Sequence, residues 1–184
     1  MPQVIRVLAI SGSLRRRSHN TAALRAAARL APEGMEIEVV TLHGIPSFDA
    51  DLEAGEGPPP AVEALKAAIA AADALLIATP EYNRSVPGVL KNALDWASRG
   101  GADSPLWGKP AAILGAGGRF GTLSAQAHLR QILQHSRVRV VDHPEVMIDQ
   151  ASTRFDDAGS LIDDRIRRQI GRLLEALRAE AERQ

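Results

Sequence analysis

Residues 4–30, VIRVLAISGSLRRRSHNTAALRAAARL, carry the reading that decides the fold. They begin as a short β-branched apolar run, VIRVLAI (4–10), with the composition of a buried strand, and that run ends at Ser11-Gly12. From about Asn20 the period changes. Leu24, Ala27, Ala28 and Leu30 recur at helix spacing, Ser18 or Asn20 is placed to cap the start, and Pro32 and Gly34 close the segment. Between strand and helix lies SGSLRRRSHN (11–20), a turn crowded with hydroxyls, an amide and three arginines. Strand, polar turn and helix make one βα unit, so the fold follows from whether the rest of the chain repeats it.

It does. EIEVVTL (36–42) reads as a second strand, and GIPSFDADLEAGEGPPP (44–60), polar and with four prolines, is expected to be irregular. A helix over 61–72 leads to a third strand, ALLIAT (74–79). The turn PEYNRSVPG (80–88) opens a helix, VLKNALDWASR (89–99), with Val89, Leu90, Leu94 and Trp96 near one face. AAIL (111–114) is a fourth strand and runs into GAGGRFGT (115–122). A helix over 123–135, a fifth strand over 137–142 and a final amphipathic helix complete the chain. That last helix repeats Ile162, Ile166, Ile170, Leu173, Leu174 and Leu177, and contains Gly171, which costs about 1 kcal/mol relative to alanine. Five strand–helix alternations without a linker or repeat predict a single α/β domain over residues 1–184. Its expected architecture is a doubly wound, five-stranded parallel sheet of order 2-1-3-4-5 with helices on both faces.

Composition narrows the function. The 184 residues are 45% hydrophobic and 24% charged, with Lys+Arg and Asp+Glu both at 22. Zero net charge argues against nucleic-acid or membrane-surface binding by bulk charge. The absence of cysteine removes disulfides, thiolate metal sites, iron–sulfur clusters and cysteine nucleophiles. The start, MPQVIRVLAI, lacks the basic region and longer apolar stretch of a signal peptide, and no run approaches the length of a membrane span, so a cytoplasmic globular protein is expected.

In such a sheet ligands bind beyond the carboxyl ends of the strands, where strand order reverses, here between strands 1 and 3. That places SGSLRRRSHN opposite PEYNRSVPG. The first turn has the parts of a phosphate site: a helix N-terminus with free amides, hydroxyl or amide donors at Ser11, Ser13, Ser18, Asn20 and Thr21, and Arg15 for a two-pronged contact. G-x-G-x-x-G and G-x-x-x-x-G-K-[ST] are both absent, so a terminal monoester phosphate, such as that of FMN, suits it better than a dinucleotide or a triphosphate. A solvated turn with a helix cap is the plainer alternative. In the second turn Pro80 and Pro87 stiffen a backbone whose amides suit the polar edge of a flat heteroaromatic ring, and Tyr82, the one tyrosine, either lies against such a ring or packs in the core. GAGGRFGT is either a close backbone approach to a ligand or a flexible glycine turn.

The patterns G-S-L-R-x-x-S-x-N (Gly12 to Asn20) and P-E-Y-N-x-S-x-P-G-x-L-K-N-A-L-D-W (Pro80 to Trp96), with GKP at 108–110 and AQAHLRQIL at 125–133, resemble the NADPH-dependent FMN reductase family of the flavodoxin-like fold. That resemblance implies noncovalent FMN. Its phosphate loop maps onto Ser13, Arg15, Ser18, His19 and Asn20, and its ring-edge loop onto Pro80, Glu81, Tyr82 and Asn83 with Arg84 beside them. The glycine loop, Ala116, Gly117 and Gly118, would pass the other edge of the flavin. It also implies a homodimer or homotetramer, for which Leu90, Leu94 and Trp96 would serve either the interface or the core. Arg84 stands where an aromatic can occur, which bears on the acceptor.

The expected reaction is a ping-pong transfer of hydride from NADPH or NADH to FMN, and from there to a small acceptor: a quinone, chromate, an azo compound or a flavin. The cofactor carries the chemistry, so no catalytic side chain is assigned. The alternatives are a flavodoxin-like electron carrier, a flavin-binding sensor, or a hydrolase or metal enzyme. The last finds little support: His128 and His135 are two helical turns apart, and FDDAGSLIDD (155–164) lacks calcium-loop spacing and suits a turn with a helix cap.

Overall fold

The computed structural model describes residues 4–183. Strands β1 (Ile5–Ser11), β2 (Met35–Thr41), β3 (Ala74–Ala78), β4 (Pro110–Ala116) and β5 (Arg139–Val140) form a parallel sheet in the expected order, β2-β1-β3-β4-β5. Helices α1 (His19–Arg29) and α6 (Asp164–Ala181) cover one face. Helices α3 (Pro60–Ala71), α4 (Gly88–Ala97) and α5 (Leu123–His135) cover the other.

Both faces are buried, which explains why the strands read as continuous apolar runs rather than alternating ones. Along β1, Val7 and Ala9 enter the core under α1 and α6, while Leu8 and Ile10 enter the core under the other three helices. The same alternation divides Leu76 from Leu75 and Ile77 on β3, and Leu114 from Ile113 on β4. On α6, Ile166, Ile170, Leu173, Leu174 and Leu177 are all buried at the spacing seen in the sequence. Each such burial stabilises by about 1.5–3 kcal/mol. Ile162 lies before the helix and is exposed. Leu90, Leu94 and Trp96 are buried within the chain and belong to its core.

Two expectations need correction. The proline-rich segment contains a two-turn helix, α2 (Ala50–Glu56). The prolines flank it rather than interrupt it, and Asp49 caps it, its Oδ1 accepting from the amides of Asp51 at 2.9 Å and Leu52 at 3.4 Å. The stretch before α2 is pinned to α4. Asn92 and the Trp96 indole both donate to the Pro46 carbonyl, at 2.7 and 2.9 Å, and Phe48 meets Trp96 edge to face.

The fifth strand is split. Only Arg139–Val140 pair with the start of β4. The chain then leaves the sheet through His143-Pro144 and returns as β6 (Val146–Ile148), parallel to Leu114–Ala116 at the other end of β4. Proline has no amide to give a ladder, so the run breaks there. Among the described residues no helix is long and apolar enough to cross a membrane.

Candidate functional site

A cleft of about 300 Å³ opens beyond the carboxyl ends of β1, β3, β4 and β6, at the reversal of strand order. Ser13, Arg15, Ser18, His19 and Asn20 line it from the first turn, Pro80, Glu81 and Tyr82 from the second, and Ala116, Gly117 and Gly118 from the third. Asn83 and Arg84 do not line it. They form the tip of a tight turn, both with positive φ (49° and 63°), closed by paired backbone bonds between Tyr82 and Ser85. A comparable hollow of about 360 Å³ lies near the amino ends of β1 and β2, around Arg6, Glu36 and Glu38, away from all three turns.

One end of the cleft is built by the start of α1. Ser18 is the N-cap, its Oγ accepting from the Thr21 amide at 3.3 Å. The amides of His19 and Asn20, at the first two helical positions, have no intrahelical acceptor and carry the positive end of the helix dipole. Ser13 Oγ accepts from the Arg15 amide at 3.3 Å, and the exposed Arg15 guanidinium has no ion-pair partner among the described residues. Ser11 and Thr21 are not donors to the cleft: their hydroxyls face each other at 2.8 Å beneath the loop.

His19 stacks on Phe155, with ring centroids 5.1 Å apart. Burial, reinforced by Arg15 and Arg17, holds its imidazole below the ordinary value of 6.5. Arg17 donates to the Asp157 carbonyl at 3.1 Å, and together with Arg16 it lines an adjoining groove between α1 and the 156–160 turn.

Three of the expected residues hold the walls together through their own contacts. The Asn20 amide forms a reciprocal pair with Ala116: Nδ2 donates to its carbonyl and Oδ1 accepts from its N–H, both at 2.9 Å. Its side chain therefore ties α1 to the end of β4. The Glu81 carboxylate accepts from the amides of Ser124 at 2.9 Å and Ala125 at 3.1 Å, capping α5 from a different loop, since Thr122 provides no side-chain cap there. Gly117 leaves room for the chain itself, because a Cβ there would lie 2.2 Å from the Gly121 carbonyl oxygen. Gly115 is tighter still, at 1.9 Å from Thr122 Oγ1, whereas Gly118 faces open space.

The sequence reading missed the fourth wall, Gln150, Ala151 and Ser152. The amides of Gln150 and Ala151 donate to the carbonyls of Gly118 and Gly117, at 2.9 Å each. Their signal was the short apolar run VMI at 146–148, since the residues following a parallel strand lie on the ligand side of the sheet. Among the described residues no group of three or more histidine, cysteine, aspartate or glutamate side chains comes together to hold a metal. FDDAGSLIDD is a turn closed by the Asp156 carboxylate on the Ser160 amide (2.7 Å), followed by Asp163 capping α6 through the Ile166 amide (3.0 Å). His128 bonds Ser85 at 3.0 Å.

The family model for NADPH-dependent FMN reductases matches residues 5–153. The chain is 55% identical over 178 residues to the NAD(P)H-dependent FMN reductase of Pseudomonas aeruginosa, covering 96% of this chain and 95% of that protein. It is 44% identical over 183 residues to a probable NADPH:quinone oxidoreductase of Oryza sativa, covering 96% and 91%. The solved structure of FerB, a flavoenzyme NAD(P)H:(acceptor) oxidoreductase from Paracoccus denitrificans, superposes with a TM-score of 0.87 at 34% identity, covering 98% of each chain. With its sheet order, its cleft and this likeness over nearly its whole length, the chain belongs to the NADPH-dependent FMN reductase family.

Proposed function

We propose that the whole chain acts as one FMN-binding domain, an NAD(P)H-dependent oxidoreductase that passes electrons to a small-molecule acceptor of the quinone class. The observation that carries this reading is the convergence of eleven of the thirteen expected residues, drawn from three separate turns, on one cleft at the strand-order reversal. The donor set fits a monoester phosphate. Two hydroxyls, the first amides of α1 and one unpaired arginine face it, and the one carboxylate in the lining is already bound to the amides of α5. FMN, when bound, supplies a ring that accepts hydride from a reduced nicotinamide and gives it up to a second substrate.

The protein's part is to hold and polarise. Ser13, Ser18, Arg15 and the amides of His19 and Asn20 would hold the phosphate. The 80–82 and 116–118 segments would hold the ring, with the half-exposed Tyr82 side chain available to it. The Tyr82 amide is bonded to Ser85, so within the 80–82 segment the backbone amide left to serve the polar edge of the ring is that of Glu81. Fixed backbone donors favour the negative charge that reduction places there. The quinone-class acceptor follows the Oryza relative, and a cytoplasmic homodimer or homotetramer follows the family resemblance.

The test is the visible spectrum of the purified protein supplied with FMN, before and after anaerobic NADPH. A flavin spectrum that bleaches supports the reading. Bound flavin that does not bleach indicates a carrier or sensor, and no flavin binding overturns it.

A further inference from the structure

Beyond the cleft mouth, two tight turns stand side by side, Tyr82–Ser85 and Gly118–Gly121, each closed by its own backbone bridge. At their tips are Arg84, Arg119 and Phe120. The Phe120 ring is 62% exposed, the most exposed large apolar side chain among the described residues, and Tyr82 beside the cleft is 49% exposed. The guanidinium carbons of Arg84 and Arg119 lie 5.9 and 5.5 Å from the Phe120 centroid. An arginine this close to a ring face is attracted by its quadrupole. Neither arginine forms an ion pair among the described residues, and the nearest acid in the lining, Glu81, is committed to the amides of α5.

Arg84 is also strained. Asn83 and Arg84 occupy the two central positions of a turn with positive φ at both, where asparagine–glycine is the relaxed pair. A Cβ in the left-handed region crowds the following carbonyl oxygen and is sterically disfavoured. A long cation kept where glycine is preferred, stacked on an aromatic that gains nothing from exposure, describes a surface awaiting a ligand rather than a solvated turn.

We propose that Arg84, Phe120 and Arg119 form an acceptor-selecting rim that favours planar aromatic acceptors carrying a negative charge, such as a sulfonated or ring-hydroxylated quinone, over neutral ones of the same size. This rests on the flavin reading above and specifies its second substrate. The Phe120 face takes the flat ring, the two unpaired cations take the anionic substituent, and Gly118 and Tyr82 connect the rim to the cleft where the electrons are held.

The experiment measures dissociation constants of 1,4-naphthoquinone-2-sulfonate and 1,4-naphthoquinone for the FMN-loaded protein by calorimetry, without nicotinamide. The chain has no cysteine for a quinone to alkylate. The sulfonate should bind about tenfold tighter, as expected of one charge-assisted contact at a partly exposed site, and should lose most of that margin as salt is raised. In the Arg84→Gln/Arg119→Gln variant the two constants should converge to within about twofold. Phe120→Ala should weaken both ligands together.

Equal binding of the two quinones by the native protein, or a preference that survives the double substitution, overturns the proposal. So does sedimentation showing that Phe120→Ala splits an oligomer, which would make the patch a protein interface. FMN retained with no charge preference refutes this inference alone, whereas failure to retain FMN strikes the flavin reading beneath it.

Discussion

Asn20→Ala tests how the cleft is built. Asn20 is 4% exposed, and both polar atoms of its amide are used on Ala116, itself 4% exposed, at 2.9 Å each. Removing the amide deletes two hydrogen bonds and leaves a buried N–H and a buried C=O without partners. Each orphaned group costs about 1–3 kcal/mol. Partial relaxation toward the cleft brings the expected loss to roughly 2–4 kcal/mol. For a chain of this length each kcal/mol lowers Tm by about 2–4 °C, so the melt should fall by roughly 5–15 °C. Asn20→Asp separates geometry from mere packing: it keeps an acceptor for the Ala116 amide but sets a carboxylate oxygen against the Ala116 carbonyl, and should be no better than alanine. FMN affinity should also drop in both variants, because the tie fixes the first amides of α1 relative to β4. The assay is chemical denaturation followed by circular dichroism, with flavin titration alongside. A stability loss below about 0.5 kcal/mol, or an aspartate variant as stable as the native protein, would refute the reasoning, since water would then be serving Ala116.

Three other outcomes follow from the same structure. Arg15→Ala should weaken FMN binding by about one to two orders of magnitude, the worth of a charge-assisted contact, while leaving the melt unchanged because the side chain is exposed and unpaired; flavin titration and a thermal scan read the two separately. Gly171→Ala, inside α6 with open space where the Cβ would go, should stabilise by about 0.4–1 kcal/mol, and a variant no more stable than the native chain would show that the helix is constrained there in some other way. His19 sets a pH dependence. Its folded value lies below 6.5, so the unfolded chain binds the extra proton, and the stability it contributes is present above 6.5 and lost as pH falls through the folded value. Inorganic phosphate in the cleft favours the protonated ring and should reduce that loss, and the acid side of the denaturation midpoint in His19→Gln should be flatter than in the native chain.

How much of this was legible in the sequence depended on the range of the forces involved. The strands declared themselves because burial on both faces leaves no polar residues to obscure the run, and the sheet order followed from the count of βα units. Helix α2 was hidden because prolines dominate the local signal, although Asp49 with Asp51 and Glu53 behind it carries the signature of an N-cap. The split of the fifth strand turned on Pro144, which ends one pairing and leaves only the three-residue run VMI for the next. The site positions were recognisable as clusters of residue types. Their duties were not, because Asn20 finds its partner 96 residues away and Glu81 finds its own 43 residues away. Nothing in SGSLRRRSHN or PEYNRSVPG specifies those partners. The glycines of 115–118 show the same limit: the sequence displays the missing side chains, while only the fold reveals that Gly115 and Gly117 admit the chain itself and Gly118 alone faces outward.

The placement of Glu81 resolves what would otherwise be an electrostatic contradiction. A carboxylate in the lining of a cleft meant for a doubly charged phosphate would repel it, and in a partly desolvated site that repulsion is poorly screened. Here Oε2 accepts from two backbone amides at the N-terminus of α5, where the helix dipole offsets the negative charge. The same contact fixes the 80–82 segment to α5, so that wall of the cleft is braced by the bonds that offset its charge. Asn20 repeats the device with a neutral group, spending its amide on β4 and leaving the backbone N–H of α1 for the ligand. What the cleft presents to an anion is therefore mostly backbone and hydroxyl, with Arg15 as the one free full charge, and that combination suits a small phosphate held within a protein of zero net charge.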